Sequence, residues 1–347
     1  MGPNRILIFE LNWMGDILFS VPLIRALREN FKEAYISCAI VPRYVDLLVH
    51  NPWVNDVIAL SDRRKITSIG EKLSFTHMIR KEKYDTCFLL KPSRTKTSMA
   101  MWAGIRQRIG FAGKSRLLTK EVDMPQDHIH RADQILSLAG VLGITKVEGN
   151  YEHFISEEDE ERAALILERA GGGVLRTVAV NPGGNWEAKR WQEEKFVELS
   201  KMILSRFSDV EIMLTGAEKD KELTDRMLKA VGDKRCYSVA GLTGINELAS
   251  LFRSSELVIS ADSGPLHLAS AIGATTIGLF GPTSCEITGP RGKGKNIVIH
   301  KDHGCEVPCY VDKCDKDYIC MKSITVQDVF KAAEQELMEK ARSDEAR

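Results

Sequence analysis

The sequence predicts an α/β protein of two domains, each a parallel β-sheet covered by helices. Three observations carry that reading. Apolar runs of strand length alternate with amphipathic runs of helix length almost from end to end. A length of 347 residues is generous for one doubly wound domain and comfortable for two. An acidic helix from Glu157 to Ala170 ends in Gly171-Gly172-Gly173, which stops the helix and offers a joint.

In the first half, strands are predicted from Ile6 to Leu11, Tyr35 to Val41, Val54 to Leu60 and Thr86 to Leu90, with Arg106 to Phe111 and Leu117 to Val122 as further candidates. A helix follows most of them, as from Ile17 to Asn30. In the second half the strands run from Thr177 to Asn181, Glu211 to Thr215, Cys236 to Ala240, Leu257 to Ser260 and Thr275 to Phe280. Helices near 193–207, 219–231, 245–253 and 265–272 separate them. The expected division is 1–156, 157–325 and a last helix within 326–347, free to pack on either domain, a return to the N-terminal one included.

The composition, 44% hydrophobic and 28% charged with zero net charge, is that of a folded enzyme and excludes a disordered chain. No apolar run approaches the roughly 20 residues of a membrane helix. The N-terminus leads straight into a strand without a signal-peptide pattern, so the expected location is the cytoplasm. From Asp62 to Lys120 there are 15 Lys or Arg against four Asp or Glu, which suits an anionic partner, with a merely solvated basic face as the alternative. Nucleic acid is not expected, because Phe75, Tyr84 and Trp102 form no stacking pattern.

Candidate chemistry lies at four strand-to-helix junctions, where a parallel sheet presents its ligand edge. In Leu11-Asn12-Trp13-Met14-Gly15-Asp16, Gly15 permits a tight turn and Asp16 either caps the next helix or serves as a base. In Asn181-Pro182-Gly183-Gly184-Asn185, followed by Lys189-Arg190-Trp191, backbone N–H groups and Lys189 suit a diphosphate. Neither a Walker loop nor the dinucleotide glycine pattern is present. Thr215 to Glu222 opens a helix with carboxylates that complement its dipole or hold ribose hydroxyls. Asp262-Ser263-Gly264-Pro265 starts an apolar helix and offers donors to phosphate oxygens, while His267 inside that helix reads as a core residue.

These runs, together with Asp262 to Ala269, Ala103 to Phe111 and Gly278 to Thr283, resemble the motifs of the ADP-heptose:lipopolysaccharide heptosyltransferases. The segment containing Cys305 resembles the type called heptosyltransferase II. The resemblance implies the GT-B arrangement, two Rossmann-like domains facing across a cleft, with the donor held by the C-terminal half and the acceptor by the N-terminal half. It further implies inverting transfer from ADP-heptose with Asp16 as base and Lys189 beside the departing diphosphate, and no required cofactor. Gly183, Gly184, Asn185, Asp220, Leu242, Thr243, Asp262, Ser263 and Gly264 become the donor candidates, with Asp220 at the ribose and Leu242-Thr243 at the adenine. Gly15, Ser93, Arg94 and Lys96 become the acceptor candidates. The anionic partner is then the lipopolysaccharide inner core, met at the cytoplasmic face of the inner membrane.

Cys305, Cys309, Cys314 and Cys320 form a zinc candidate without Cys-x-x-Cys knuckles, with packed thiols or a redox-dependent link as alternatives. Two rival functions stand beside heptosyl transfer. One is another GT-B enzyme, a transferase of a different sugar or an epimerase; the other is a non-catalytic sugar-nucleotide-binding module.

Overall fold

A computed structural model describes residues 2–60, 68–113, 115–125, 128–145, 148–309 and 314–345, with side chains described as far as Arg342. Of the basic segment, Asp62, Arg63, Arg64, Lys65 and Lys114 lie outside the described residues. The chain divides into two compact units, Met1–Phe154 and Ile155–Arg347. The glycines at 171–173 therefore lie inside the second unit, where Gly171 and Gly173 take positive φ and turn the chain from a helix into a strand.

The first unit holds β1 (Arg5–Phe9), β2 (Tyr35–Ile40), β3 (Asp56–Ala59), β4 (Thr86–Leu89), β5 (Gln107–Phe111) and β6 (Lys120–Val122). Its helices are α1 (Met14–Leu18), α2 (Val21–Asn30), α3 (Ile69–Lys81), α4 (Arg94–Trp102) and α5 (Arg131–Leu136). The strands form one parallel sheet in the order β3-β2-β1-β4-β5-β6. β1 is central and buried on both faces, so its sequence Ile6-Leu7-Ile8-Phe9 is continuously apolar rather than alternating. Leu7 and Phe9 of β1 pack with Cys87 and Leu89 of β4 under Phe75 and Ile79 of α3 and Met99 and Ala100 of α4.

The second unit holds β7 (Arg176–Asn181), β8 (Val210–Leu214), β9 (Cys236–Ser238), β10 (Leu257–Ala261), β11 (Thr276–Phe280) and β12 (Asn296–His300). Its helices are α6 (Glu157–Arg169), α7 (Glu193–Arg206), α8 (Lys221–Val231), α9 (Ile245–Ser254), α10 (Gly264–Ile272), α11 (Cys285–Thr288), α12 (Ile319–Lys322) and α13 (Val326–Glu345). The sheet order is β12-β11-β10-β7-β8-β9, again all parallel. Counted within each unit, both sheets follow the order 3-2-1-4-5-6, which places the topological switch between the first and fourth strands.

The last helix belongs to the second unit. Val326, Val329, Phe330, Ala333 and Leu337 of α13 enter the core formed by β7, β8, β10 and α7. Arg176 on β7 donates to the Leu337 carbonyl at 2.8 Å. The apolar stripe of α13 is thus buried within the second unit.

Candidate functional site

The switch points gather most of the residues singled out in the sequence. In the second unit, β7 ends at Asn181 and leads into the Gly183–Lys189 loop, while its neighbour β10 leads into Asp262, Ser263 and the start of α10. The register Ser260↔Asn181 fixes the two loops relative to each other. Buried Asn181 reinforces it through its amide nitrogen, which donates to Ser260 Oγ at 3.2 Å, and through its amide oxygen, which accepts from Thr215 Oγ1 at 3.2 Å. Ser260 Oγ lies 3.0 Å from Ser263 Oγ, carrying the connection to the first turn of α10.

At the centre is Asp262. Its Oδ2 accepts from Lys189 Nζ and from Thr283 Oγ1, both at 2.6 Å, and its Oδ1 lies 3.2 Å from His267 Nε2. Burial alone would raise the pKa of this carboxyl, but the His267 hydrogen bond and the Lys189 charge outweigh it and hold the group well below the usual carboxylate range. The site is therefore a fixed anion with a half-buried cation on its rim. His267, expected to be core, is buried and also orients this carboxylate, while Thr283 had entered only as the end of the Gly278–Thr283 run, with no role of its own. The one sequence signal that could have exposed His267 is its position four residues from Ser263 on the first turns of α10.

Lys189 is held from behind. Trp191, 3% exposed, donates from Nε1 to the Ile324 carbonyl at 3.0 Å and packs edge-on against Phe196. Arg190 donates through Nε and Nη2 to the Gly184 carbonyl at 3.0 and 2.6 Å, closing the glycine loop on itself. Asn185 Oδ1 accepts from the Lys219 ammonium. Lys189 Nζ also stands 5.3 Å from the centre of the Trp186 ring, a cation–π distance.

Asp220 lies at the start of α8, in the loop after β8. It is 8% exposed, its Oδ2 accepts from the Ala217 N–H at 3.0 Å, and a Cβ at Gly183 or at Gly216 would come within 2.8 Å of its side chain. Its carboxylate is enclosed between two glycine backbones and braces the helix start, beside the glycine loop that follows β7. Leu242, 50% exposed, and half-buried Thr243 follow β9 on the same sheet edge, after Gly241 in the left-handed region.

In the first unit, β1 is followed by Glu10 and then by α1, whose first turn carries Gly15 and Asp16, both half-buried. Ser93, exposed, caps α4 by accepting from the Lys96 N–H at 3.2 Å, and Arg94 is exposed at the first helical position. Lys96 turns inward and donates from Nζ to the Glu10 carbonyl oxygen at 3.1 Å. The loops after β1 and β4 are thereby tied together, as those after β7 and β10 are in the other unit.

Glu10 itself was missed by sequence reasoning. It is 1% exposed, Oε2 accepts from Ser20 Oγ at 2.9 Å, and Oε1 is buried with no hydrogen-bond partner. Burial pushes its carboxyl up to about 7, against the lowering influence of Ser20, the Leu11 backbone N–H and the Lys96 charge. Lys96 moves the other way, down to about 8, because burial penalises its charge more than Glu10 supports it. Glu10 was overlooked because a single acid after an apolar run looks like the exit of a strand.

Cys305, Cys309, Cys314 and Cys320 line one pocket of the second unit together with Ala188 and Pro282, the neighbours of Lys189 and Thr283. All four are free thiols, and among the described residues no group of three or more His, Cys, Asp and Glu side chains is arranged to hold a metal ion. Among the described residues, too, no helix is long and apolar enough to cross a membrane.

Comparison with known proteins bears on the family and the fold. The family model described as glycosyltransferase family 9 (heptosyltransferase) matches residues 72–318. Lipopolysaccharide heptosyltransferase 2 of Escherichia coli K12 is 24% identical over 306 residues, covering 85% of this chain and 87% of the relative. The structure of E. coli ADP-heptose lps heptosyltransferase II superposes with a TM-score of 0.81 at 24% identity, over 97% of this chain and 99% of that one. E. coli heptosyltransferase WaaC with ADP gives a TM-score of 0.74 at 18% identity, over 96% and 99% of the two chains. The two six-stranded parallel sheets are those of the GT-B fold. The chain belongs to glycosyltransferase family 9, the heptosyltransferases, and is a glycosyltransferase.

Proposed function

We propose that this enzyme transfers heptose from ADP-heptose to the inner core of lipopolysaccharide with inversion at the anomeric carbon. The observation that carries the donor half is the Lys189–Asp262 pair at the switch point of the second sheet. A cation beside the N-terminal turn of α10 suits a diphosphate, whose oxygens would be met by Lys189, by the Gly183-Gly184-Asn185 backbone and by the Ser263-Gly264 N–H groups. Asp262, held ionised, faces the hydroxyls of the transferred sugar, and Leu242-Thr243 border the adenine. The name of the relative with bound ADP supports the choice of nucleotide.

The acceptor half belongs to the first unit. Asp16 takes the proton of the acceptor hydroxyl as its oxygen bonds the anomeric carbon and the bond to the β-phosphate oxygen breaks. The electron pair leaves with ADP, whose added charge Lys189 and the α10 N–H groups stabilise without a resident cofactor. Gly15 leaves room beside the base. Ser93, Arg94 and Lys96 receive the carboxylates and phosphates of the core, in an enzyme working in the cytoplasm at the inner-membrane face.

A transfer assay with ADP-heptose and defined core acceptors, read by product mass, tests this. A product heavier by one heptose is expected. Turnover with a UDP- or GDP-sugar instead, or epimerisation of the nucleotide sugar without transfer, would replace the reading by another GT-B activity, and binding without any turnover would replace it by a carrier role.

A further inference from the structure

α3 and α4 lie side by side over the same face of the first sheet, their inner positions filled by Phe75, Ile79, Met99 and Ala100. Their outer positions are not those of an ordinary solvated face. On α3, Ile69 is 74% and Leu73 59% exposed, one turn apart, and on α4 Trp102 is 57% exposed beside Met101. Ile69, Leu73 and Trp102 keep more than half of their contact with water after folding, and their presence on two neighbouring helices calls for an occupant.

The charges around them specify which. Arg80 and Lys81 are exposed on the last turn of α3, and Arg106 is exposed four residues after Trp102. The nearby acids are engaged: Glu71 closes the capping box of α3 with Ser68, and Glu82 is paired with Arg5 at 2.6 Å. α4 contains no acid. A second copy of the chain would bring these cations against themselves, and a nucleic-acid backbone would have no use for the isoleucine, leucine and tryptophan. An anionic bilayer surface satisfies both, taking apolar side chains into the headgroup boundary and cations against its phosphates.

We propose that the outer face of α3 and α4 is a docking surface for an anionic lipid bilayer, with Leu73 and Trp102 inserting and Arg80, Lys81 and Arg106 holding the headgroups. This deepens, and rests on, the reading of the acceptor as a lipid-anchored core, since a membrane-docked first unit meets such an acceptor at the surface that displays it.

The test is co-sedimentation of the full chain with vesicles of phosphatidylethanolamine containing about one-third phosphatidylglycerol, beside vesicles of phosphatidylcholine alone. Wild type is expected to bind the anionic vesicles at least about tenfold more tightly than the neutral ones, with binding weakened by salt. Leu73→Glu with Trp102→Glu, and separately Arg80→Glu with Lys81→Glu, should each lower anionic-vesicle binding at least about tenfold while turnover of a soluble, delipidated core acceptor stays at the wild-type level. Equal affinity for both vesicle types, no vesicle binding, or double variants that bind like wild type would overturn the proposal. So would a wild-type dimer that the apolar pair of substitutions dissociates without any effect on vesicles. Charge-dependent vesicle binding by a chain that transfers no heptose would uphold this surface and remove the proposed function instead.

Discussion

Lys189 Nζ lies 2.6 Å from Asp262 Oδ2, joining residues 73 positions apart across the switch point of the second sheet. The pair is asymmetric: the Asp262 side chain is 4% exposed and that of Lys189 24%. Asp262 keeps two other partners, Thr283 and His267, whereas Lys189 has its ammonium at the rim. Lys189→Ala should therefore lower kcat/KM for the donor by roughly a hundredfold, about 2.7 kcal/mol of transition-state stabilisation, with the acceptor KM little changed. In a double-mutant cycle with Asp262→Asn, a coupling of about 1–3 kcal/mol is expected. Additive effects on donor kcat/KM would dissolve the functional link between the two.

Asp16→Asn keeps the size of the side chain and removes its basicity. Turnover should fall by roughly 10²–10⁴-fold, while calorimetric titration with ADP gives an affinity close to wild type. A variant that turns over like wild type would remove Asp16 from the role of base.

Glu10 makes stability depend on pH in a defined direction. Its carboxyl rises from 4.5 to about 7 on folding, so between these values the folded chain holds a proton that the unfolded chain has released. The stability this group contributes is complete below pH 4.5 and is lost as pH rises through about 7. Glu10→Gln keeps an acceptor for Ser20 and removes the titration. Urea unfolding should show wild type losing about 2 kcal/mol relative to the variant between pH 5 and 7.5. Parallel pH profiles would contradict the burial-driven shift.

Gly241 stands at φ +73°, and a Cβ there would meet Glu218 Oε2 at 2.3 Å. The Glu218 carboxylate is exposed and can swing aside, but its Cα, 3.1 Å from the added Cβ, is backbone and must give slightly, so Gly241→Ala costs the left-handed backbone, about 1–2 kcal/mol, together with that crowding. A fall in Tm of roughly 2–8 °C is expected. A weaker hold on ADP should accompany it if Leu242 and Thr243 border the adenine, and an unchanged ADP affinity would separate that wall from the nucleotide.

The central strands were legible because burial on both faces writes them as apolar runs, as in Ile6 to Phe9 of β1 and Leu257 to Ile259 of β10. β12 was not: its burial is partial, Ile297 and Ile299 alternate with more exposed neighbours, and Gly292, Gly294 and two lysines precede it. The four junctions were legible as places, since glycine and small polar residues after a strand have few other uses. The pairings within them were not. Neither the 73-residue separation of Lys189 and Asp262 nor the Glu10 carbonyl beneath Lys96 leaves a local pattern. Nor was the brace that Asp220 forms with the Ala217 N–H legible, because a carboxylate on the first turn reads alike whether it faces a ligand or holds its own helix.

The alignment Ser260↔Asn181, extended by the Asn181 amide to Thr215, has a consequence for how such an enzyme changes. The distance between the lysine-bearing loop and the aspartate-bearing loop is set by a hydrogen-bonded ladder beneath them rather than by the loops' own sequences. Loop residues such as Gly184, Asn185 or Leu242 are then free to drift and, on the proposed donor reading, to retune which sugar or base is accepted, while the ladder keeps Lys189 opposite Asp262. A library confined to those loops should yield altered selectivity in folded proteins, whereas diversity placed at Asn181 or Ser260 should mostly yield chains in which the frame itself is lost.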